Sequence, residues 1–165
     1  MGTHLAHKLD DPEARHRQLT AITDLVQDLR DDGSFRYEPR RAGFRWPWQP
    51  DTLLATGFGT SRVIVGGDLN ARQDEQYRDG SNPDQLLGAA GLTHAIDQLR
   101  ATGDPSAIAR ADEMAKRPTG AVRRIDHVYA AGMHASDVAI AAVPNVELGG
   151  NLRPTDHRGM VADLR

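Results

Sequence analysis

The sequence predicts an α/β fold in which a mixed sheet is flanked by helices, and three observations support that class. Apolar residues recur at spacings of three and four from Leu19 to Leu29, which is the periodicity of an amphipathic helix. Val63 to Val65 form a continuous apolar run, as in a strand covered on both faces. Segments of the two kinds alternate along 165 residues, a length that suits one domain.

The first helix is predicted from its start signal. Asp11 offers an oxygen to cap the helix, Pro12 suits the first helical position and Glu13 places a carboxylate in the first turn. Gly33 is the matching stop signal. The apolar stripe between these residues is therefore expected to pack on the sheet.

Two more helices are expected further along the chain. Residues 83–90 begin with a proline and form the second one. The third lies between Gly103 and Lys116 and is capped at Asp104-Pro105. Its inward side is expected to consist of Ile108, Ala111 and either Met114 or Ala115.

The remaining strands are predicted in the last third of the chain. Residues 125–131 and 137–143 are rich in strand-forming side chains and are separated by a turn at Gly132. Met160–Leu164 is expected to be the closing strand.

Composition excludes some classes of function. The net charge of −3 provides no global field that would attract nucleic acid. The chain has no cysteine, which excludes disulfides, thiolate nucleophiles and thiolate zinc sites. No apolar run reaches membrane-spanning length. Composition leaves the cellular location open, with the cytoplasm as the default.

Residues 36–60 are unusually rich in arginine and tryptophan for a connecting segment. Arg45, Trp46 and Trp48 lie close together there, and aromatic rings mixed with guanidinium groups can stack bases and clamp phosphates. The predicted topology places this segment at the end of the sheet opposite Asp68. Local packing or an oligomer contact is therefore favoured over contact with a ligand or a membrane.

The strand that contains Val63 to Val65 leads into Gly66-Gly67-Asp68-Leu69-Asn70. Alternation along a strand would place Asp68 and Asn70 on one face. A carboxylate beside a neutral amide can hold a hard cation and a phosphate together. The alternative is a strand followed by a turn rich in Asp and Asn.

Two more acid-bearing motifs lie near the C-terminus. Arg123-Arg124-Ile125-Asp126-His127-Val128-Tyr129 opens one predicted strand, and Pro154-Thr155-Asp156-His157-Arg158 precedes the last one. Together with Gly2-Thr3-His4-Leu5 and the Gly-Asp-Leu-Asn motif, they follow the order of motifs in a known family. The set resembles the endonuclease/exonuclease/phosphatase superfamily, the DNase I-like metal-dependent phosphoesterases.

The resemblance implies a more specific fold. It covers the C-terminal half of a four-layer α/β sandwich, so residues 1–165 would be a single partial domain with an Arg/Trp-rich insertion at about 36–60. The family's first half brings an Asn and a Glu to the metal site, and nothing before His4 supplies them. The chain is therefore expected to be weakly active or inactive alone. Two alternatives are a non-catalytic half-domain that pairs with a copy of itself or with a complementing N-terminal half, and a truncated product of a full-length hydrolase.

The resemblance also implies roles for individual residues around Mg²⁺ or Mn²⁺. His157 would be the general base, and Asp126 would orient either His157 or His4. Asp156 would be a metal ligand, whereas Asp68 would ligate the cation or align the water. Asn70 would donate its amide to a phosphoryl oxygen. His4 would stabilise phosphate or protonate the leaving group. The alternative for His4 is a frayed, solvated side chain near the chain terminus.

The function implied is hydrolysis of a phosphodiester or phosphomonoester, with a nucleic acid, a phospholipid headgroup or a small phosphate ester as substrate. Two neighbours of Asp126 are expected to be structural. Arg124 shares its face and is expected to form an ion pair rather than to meet the substrate. His127 points to the opposite face and is expected to be packed or at the surface.

Overall fold

The computed structural model describes residues 2–4, 11–31, 35–37, 53–55, 62–119, 124–141 and 157–165, the three short segments by their backbone alone. These residues form a mixed α/β fold with four helices and eight strands. The helices are α1 (Pro12–Asp31), α2 (Pro83–Ala89), α3 (Ala95–Ala101) and α4 (Pro105–Lys116). The strands are β1 (Gly2–His4), β2 (Phe35–Tyr37), β3 (Leu53–Ala55), β4 (Val63–Asp68), β5 (Thr93–His94), β6 (Asp126–Ala131), β7 (Ala135–Ile140) and β8 (Met160–Leu164).

The main sheet has the strand order β1-β4-β6-β5. β1 runs parallel to β4, whereas β4 and β5 both run antiparallel to β6, so the sheet is mixed. β2 pairs with β3, and β7 pairs with β8, in two separate two-stranded antiparallel sheets. β8, predicted to close the sheet, therefore closes a small sheet of its own with β7.

Two apolar clusters lie on opposite faces of β6. Tyr129 belongs to a cluster with Leu19 of α1, Val65 of β4 and Leu87 of α2. Its neighbour Val128 packs against the second cluster, which is formed by α3, α4, β7 and β8. Because alternate side chains of a strand point to opposite faces, β6 serves both clusters and lies between them.

The helix start signals are confirmed. The backbone amide of Ala14 donates to Asp11 Oδ1 at 2.8 Å, and that of Ser106 donates to Asp104 Oδ1 at 3.0 Å. α2 ends one residue before the predicted limit. The predicted stop at Gly33 lies outside the described residues.

Three details of the prediction are wrong. Ile108 is 37% exposed, because the buried row of α4 runs through Ala107, Ala111 and Met114 instead. Ile64 is 38% exposed, so β4 is not fully covered on both faces. β7 begins two residues earlier than predicted and ends at Ile140, where its pairing with Met160 of β8 ends.

The antiparallel pair β2–β3 lies within the Arg/Trp-rich segment, except that β2 begins one residue before it. Trp46, Trp48 and the arginines near them lie outside the described residues. Among the helices that the structure describes, none combines the length and the apolar character needed to cross a bilayer.

Candidate metal centre

The pairing of β4 with β6 places two carboxylates side by side. In this antiparallel ladder Asp68 lies directly opposite Asp126. Like charges in directly opposed positions destabilise a strand pair unless a cation or a hydrogen-bond donor lies near them. The register therefore creates a local requirement for positive charge or for a donor at this end of the sheet.

His157, three residues before β8, meets this requirement. Its Nδ1 lies 3.0 Å from Asp126 Oδ2 and 3.7 Å from Asp68 Oδ2. The side chains of Asp68, Asp126 and His157 are 16%, 17% and 27% exposed. They are thus sheltered from bulk water and still accessible to a small ion or substrate. We call these three residues the acid–histidine cluster.

The donor set of the acid–histidine cluster fits a divalent cation. Each residue offers one ligand atom, and these atoms lie within 4.8 Å of one another. Two carboxylate oxygens and one imidazole nitrogen, completed by water, are ligands that hard and borderline divalent cations accept. The set does not distinguish Mg²⁺ from Mn²⁺.

The imidazole can act in one of two ways. If Nδ1 carries the proton, it donates to Asp126 and the ring's lone pair lies on Nε2. If Nδ1 binds a cation, it cannot donate a hydrogen bond to Asp126 as well. The acid–histidine cluster is therefore either an acid–base pair or a three-ligand metal site at any one moment.

Asn70 lies in a turn rather than in the strand. β4 ends at Asp68, and Asn70 has a positive φ of 49°. Its backbone amide donates to Asp68 Oδ1 at 2.7 Å, which confirms the turn that was the alternative for this motif. One oxygen of Asp68 thus stabilises the turn while the other faces His157. Strand alternation, which predicted a shared face for the two residues, does not extend to Asn70.

The other two candidates are only partly placed. His4 lies in β1 and is paired in register with Asp68, so its backbone is at the same end of the sheet. Only the backbone of His4 is described. Asp156 lies outside the described residues.

Arg124 makes no direct ion pair with any acid that the structure describes, although an ion pair is expected from the sequence. Its Nη2 donates to Gln73 Oε1 at 2.7 Å, and its Nη1 donates to the carbonyl of Ala115 at 3.0 Å. The amide of Gln73 then donates to Asp84 at 2.7 Å and to Asp97 at 2.6 Å. Gln73 therefore connects Arg124 to the two acids in a polar cleft of about 620 Å³.

His127 is structural, as expected, and forms a buried pair with His94. His94 Nδ1 accepts from the amide of Ile96 at 3.2 Å, so its proton lies on Nε2, which is 3.1 Å from His127 Nδ1. His127 must then carry its proton on Nε2, which donates to the carbonyl of Ala71 at 2.9 Å. Both rings are therefore neutral, and the pair ties the turn after Asp68 to the start of α3.

Burial reinforces the neutral state of the pair. It lowers the pKa of His127 from 6.5 to about 4. It also lowers the pKa of His94 well below its usual value, and the neighbouring His127 adds to that effect. Desolvation disfavours the charged form of a buried imidazole. No sequence motif indicates this pair, because His94 and His127 are 33 residues apart in the chain.

Comparisons with known proteins add no relative. A scan against protein-family models, a search of curated proteins and a search of solved structures each gave no match. The resemblance to the DNase I-like superfamily therefore rests on the four sequence motifs.

Proposed function

We propose that this chain carries the water-activating side of a divalent-metal-dependent phosphoester hydrolase. The hydrogen-bond distance of 3.0 Å between His157 and Asp126, with Asp68 beside the same nitrogen, is the observation that supports it most directly. Residues 31 positions apart in sequence meet there, as the family's motifs would require. The mixed sheet, with α1 packed against it, is compatible with half of a four-layer sandwich.

In this proposal Asp126 sets the protonation state of His157. A carboxylate that accepts from Nδ1–H fixes the tautomer in which Nε2 can take a proton. In that tautomer Nε2 carries the lone pair of the ring, so it can accept a proton from a water molecule beside it. Asp126 also stabilises the imidazolium once the proton has arrived. The result is a base that is oriented before the substrate binds.

Asp68 and Asp156 are the proposed ligands of the cation. A bound Mg²⁺ or Mn²⁺ would neutralise the negative charge that develops on the phosphoryl oxygens. Asn70 would contribute its side-chain amide to a phosphoryl oxygen, and His4 would assist the leaving alkoxide. The register of β1 against β4, which aligns His4 with Asp68, supports the last of these assignments.

The substrate is proposed only as a class, a phosphate ester. A nucleic acid, a phospholipid headgroup and a small phosphate ester all present the same phosphoryl group to such a site. The net charge of −3 favours a substrate that is recognised locally over a long polyanion held by a general field.

Hydrolysis of bis(4-nitrophenyl) phosphate in Mg²⁺ or Mn²⁺ tests the proposal. We expect the wild-type chain to hydrolyse this substrate weakly, and His157→Ala to lower that weak kcat by about 10²- to 10⁴-fold, the usual contribution of a general base. His134→Ala, which removes an exposed histidine, is the matched control and should leave kcat unchanged. Equal rates for the wild type and His157→Ala would contradict the proposal.

Metal binding provides a second measurement, which separates the two roles of the imidazole. Isothermal titration with Mn²⁺ should give similar affinities for the wild type and His157→Ala if His157 is a base. If Nδ1 is a ligand, His157→Ala should lose the cation along with activity. Asp68→Asn is expected to weaken Mn²⁺ binding in both cases, because it replaces a charged ligand with a neutral one.

A further inference from the structure

Thr119 connects the strands and segments that carry the acid–histidine cluster. It lies just after α4, its relative exposure is 0%, and it does not belong to any of the sequence motifs. All of the hydrogen bonds described for it go to the backbone. Its partners are Ile125, which precedes Asp126, Asp126 itself, and Arg158, which follows His157.

The hydroxyl of Thr119 fixes the start of β6. Its Oγ1 accepts from the amide of Ile125 at 3.0 Å and from the amide of Asp126 at 2.9 Å. A hydroxyl oxygen has two lone pairs, so it can accept from two consecutive amides at once. These two bonds hold the backbone at Asp126 and hence the direction in which its carboxylate leaves the strand.

The carbonyl of Thr119 fixes the other partner. It accepts from the amide of Arg158 at 2.7 Å, one residue after His157. Asp68 is joined less directly, because the amide of Leu69 donates to the carbonyl of Ile125 at 2.8 Å. One buried residue thus connects the backbone beside each member of the acid–histidine cluster.

We propose that Thr119 is a positioning residue that sets the contact between Asp126 and His157. Its hydroxyl holds the acid and its carbonyl holds the histidine. The importance of this contact for catalysis rests on the proposed function, but the positioning itself does not. Serine in place of Thr119 keeps the acceptor oxygen, whereas valine has nearly the same shape and removes it.

Nitrogen NMR of the His157 ring provides a test that needs no activity. Spectra are recorded on the full chain with a chelator, so that no cation competes for Nδ1. We expect the wild type and Thr119→Ser to show a protonated Nδ1 and an unprotonated Nε2, as the hydrogen bond to Asp126 requires. Thr119→Val should move both nitrogen signals toward the average of the two tautomers.

Thr23→Val is the matched control. Thr23 is also a buried threonine and lies in α1, where its single O–H is within hydrogen-bond distance of the carbonyls of Leu19 and Leu86. Thr23→Val should have a lower free energy of unfolding, as Thr119→Val does, and should leave the His157 nitrogen signals unchanged. Unchanged His157 signals in folded Thr119→Val would overturn the proposal, as would equal changes in the two variants.

If Thr119→Val does not fold, hydrogen exchange of the backbone amides in the wild type tests the proposal instead. We expect the amides of Asp126 and Arg158 to be protected and to exchange with similar rates, because both are held by Thr119. An Arg158 amide that exchanges as fast as an exposed one would overturn the proposal.

Hydrolysis assays on the same variants separate this proposal from the proposed function. A misplaced general base costs about 10²-fold in rate, so Thr119→Val should lower kcat by about that factor, with KM unchanged and activity restored in Thr119→Ser. Altered His157 signals in a protein that hydrolyses no phosphoester would refute the function and support the positioning. If the enzyme is active and the His157 signals of Thr119→Val are unaltered, the result would support the proposed function and refute the positioning.

Discussion

The buried His94–His127 pair makes the stability of this protein depend on pH in the mildly acidic range. Protonated His127 would place an N–H against the N–H of His94, and burial lowers the pKa of His127 from 6.5 to about 4. Above pH 6.5 both the folded and the unfolded states hold a neutral ring, so the full stability is present. As the pH falls below 6.5 only the unfolded state gains the proton, and stability is lost until about pH 4.

The loss can be estimated for His127 alone. Each unit of pH between the two pKa values corresponds to about 1.4 kcal/mol, so His127 lowers the free energy of unfolding by about 2 kcal/mol at pH 5. His94 acts in the same direction, because its pKa is lowered as well. With a urea dependence of about 2 kcal/mol/M, the unfolding midpoint should fall by about 1 M or more between pH 7 and pH 5.

Urea unfolding followed by circular dichroism at pH 7 and pH 5 measures this shift. His127→Gln should lower the midpoint at pH 7 and reduce the difference between the two pH values. His134→Gln, at an exposed site, should keep the difference seen in the wild type. Burial raises the pKa of Asp84. Protonation of Asp84 therefore adds stability as the pH falls through the carboxyl range, which would offset the loss from the histidines. The measurements stop at pH 5 for this reason. Equal midpoints at pH 7 and pH 5 in the wild type would refute the reasoning.

Asp126→Asn should lower kcat for phosphodiester hydrolysis by about 10²- to 10⁴-fold, because the imidazole loses its charged acceptor; a change below tenfold would contradict an orienting role. Glu75→Ala should lower the free energy of unfolding by about 1.5–3 kcal/mol, because it removes a charge-assisted hydrogen bond of 2.6 Å from the buried Arg15. The matched control is Asp74→Ala, which breaks an exposed pair and should cost about 0.5 kcal/mol or less in the same urea experiment. Leu87→Ala should cost about 2–5 kcal/mol, because Leu87 is fully buried; a smaller loss would mean that the core closes around the cavity.

Local signals in the sequence are sufficient to predict the longer helices. Asp11 and Asp104 each cap a helix, as their positions before a proline predicted. α3 was missed because it has only seven residues and its cap is the imidazole of His94, a residue outside the usual set of capping side chains. The separate β7–β8 sheet was missed because strand patterns indicate which residues are extended and do not indicate which strands pair.

The candidate site was predicted in part, for a similar reason. The motifs that contain Asp68, Asp126 and His157 pointed to residues that the fold brings together. The sequence did not predict that the backbone of Asn70 would bind Asp68, since that depends on where the strand ends. No sequence pattern indicates the role of Thr119. Its hydroxyl contacts backbone amides, and these can be supplied by almost any residue type.

The order of strands in the main sheet has a consequence for synthesis of the chain. β4 lies between β1 and β6, and its long antiparallel partner β6 follows only after three helices have been made. At about 5–20 residues per second, the roughly 60 residues between the two strands take about 3–12 s to emerge from a ribosome. During that interval the apolar segment of β4 lacks its main partner and is open to chaperones or to neighbouring nascent chains. Solubility during expression should therefore depend on Val63, Ile64 and Val65 more than their share of the finished core suggests.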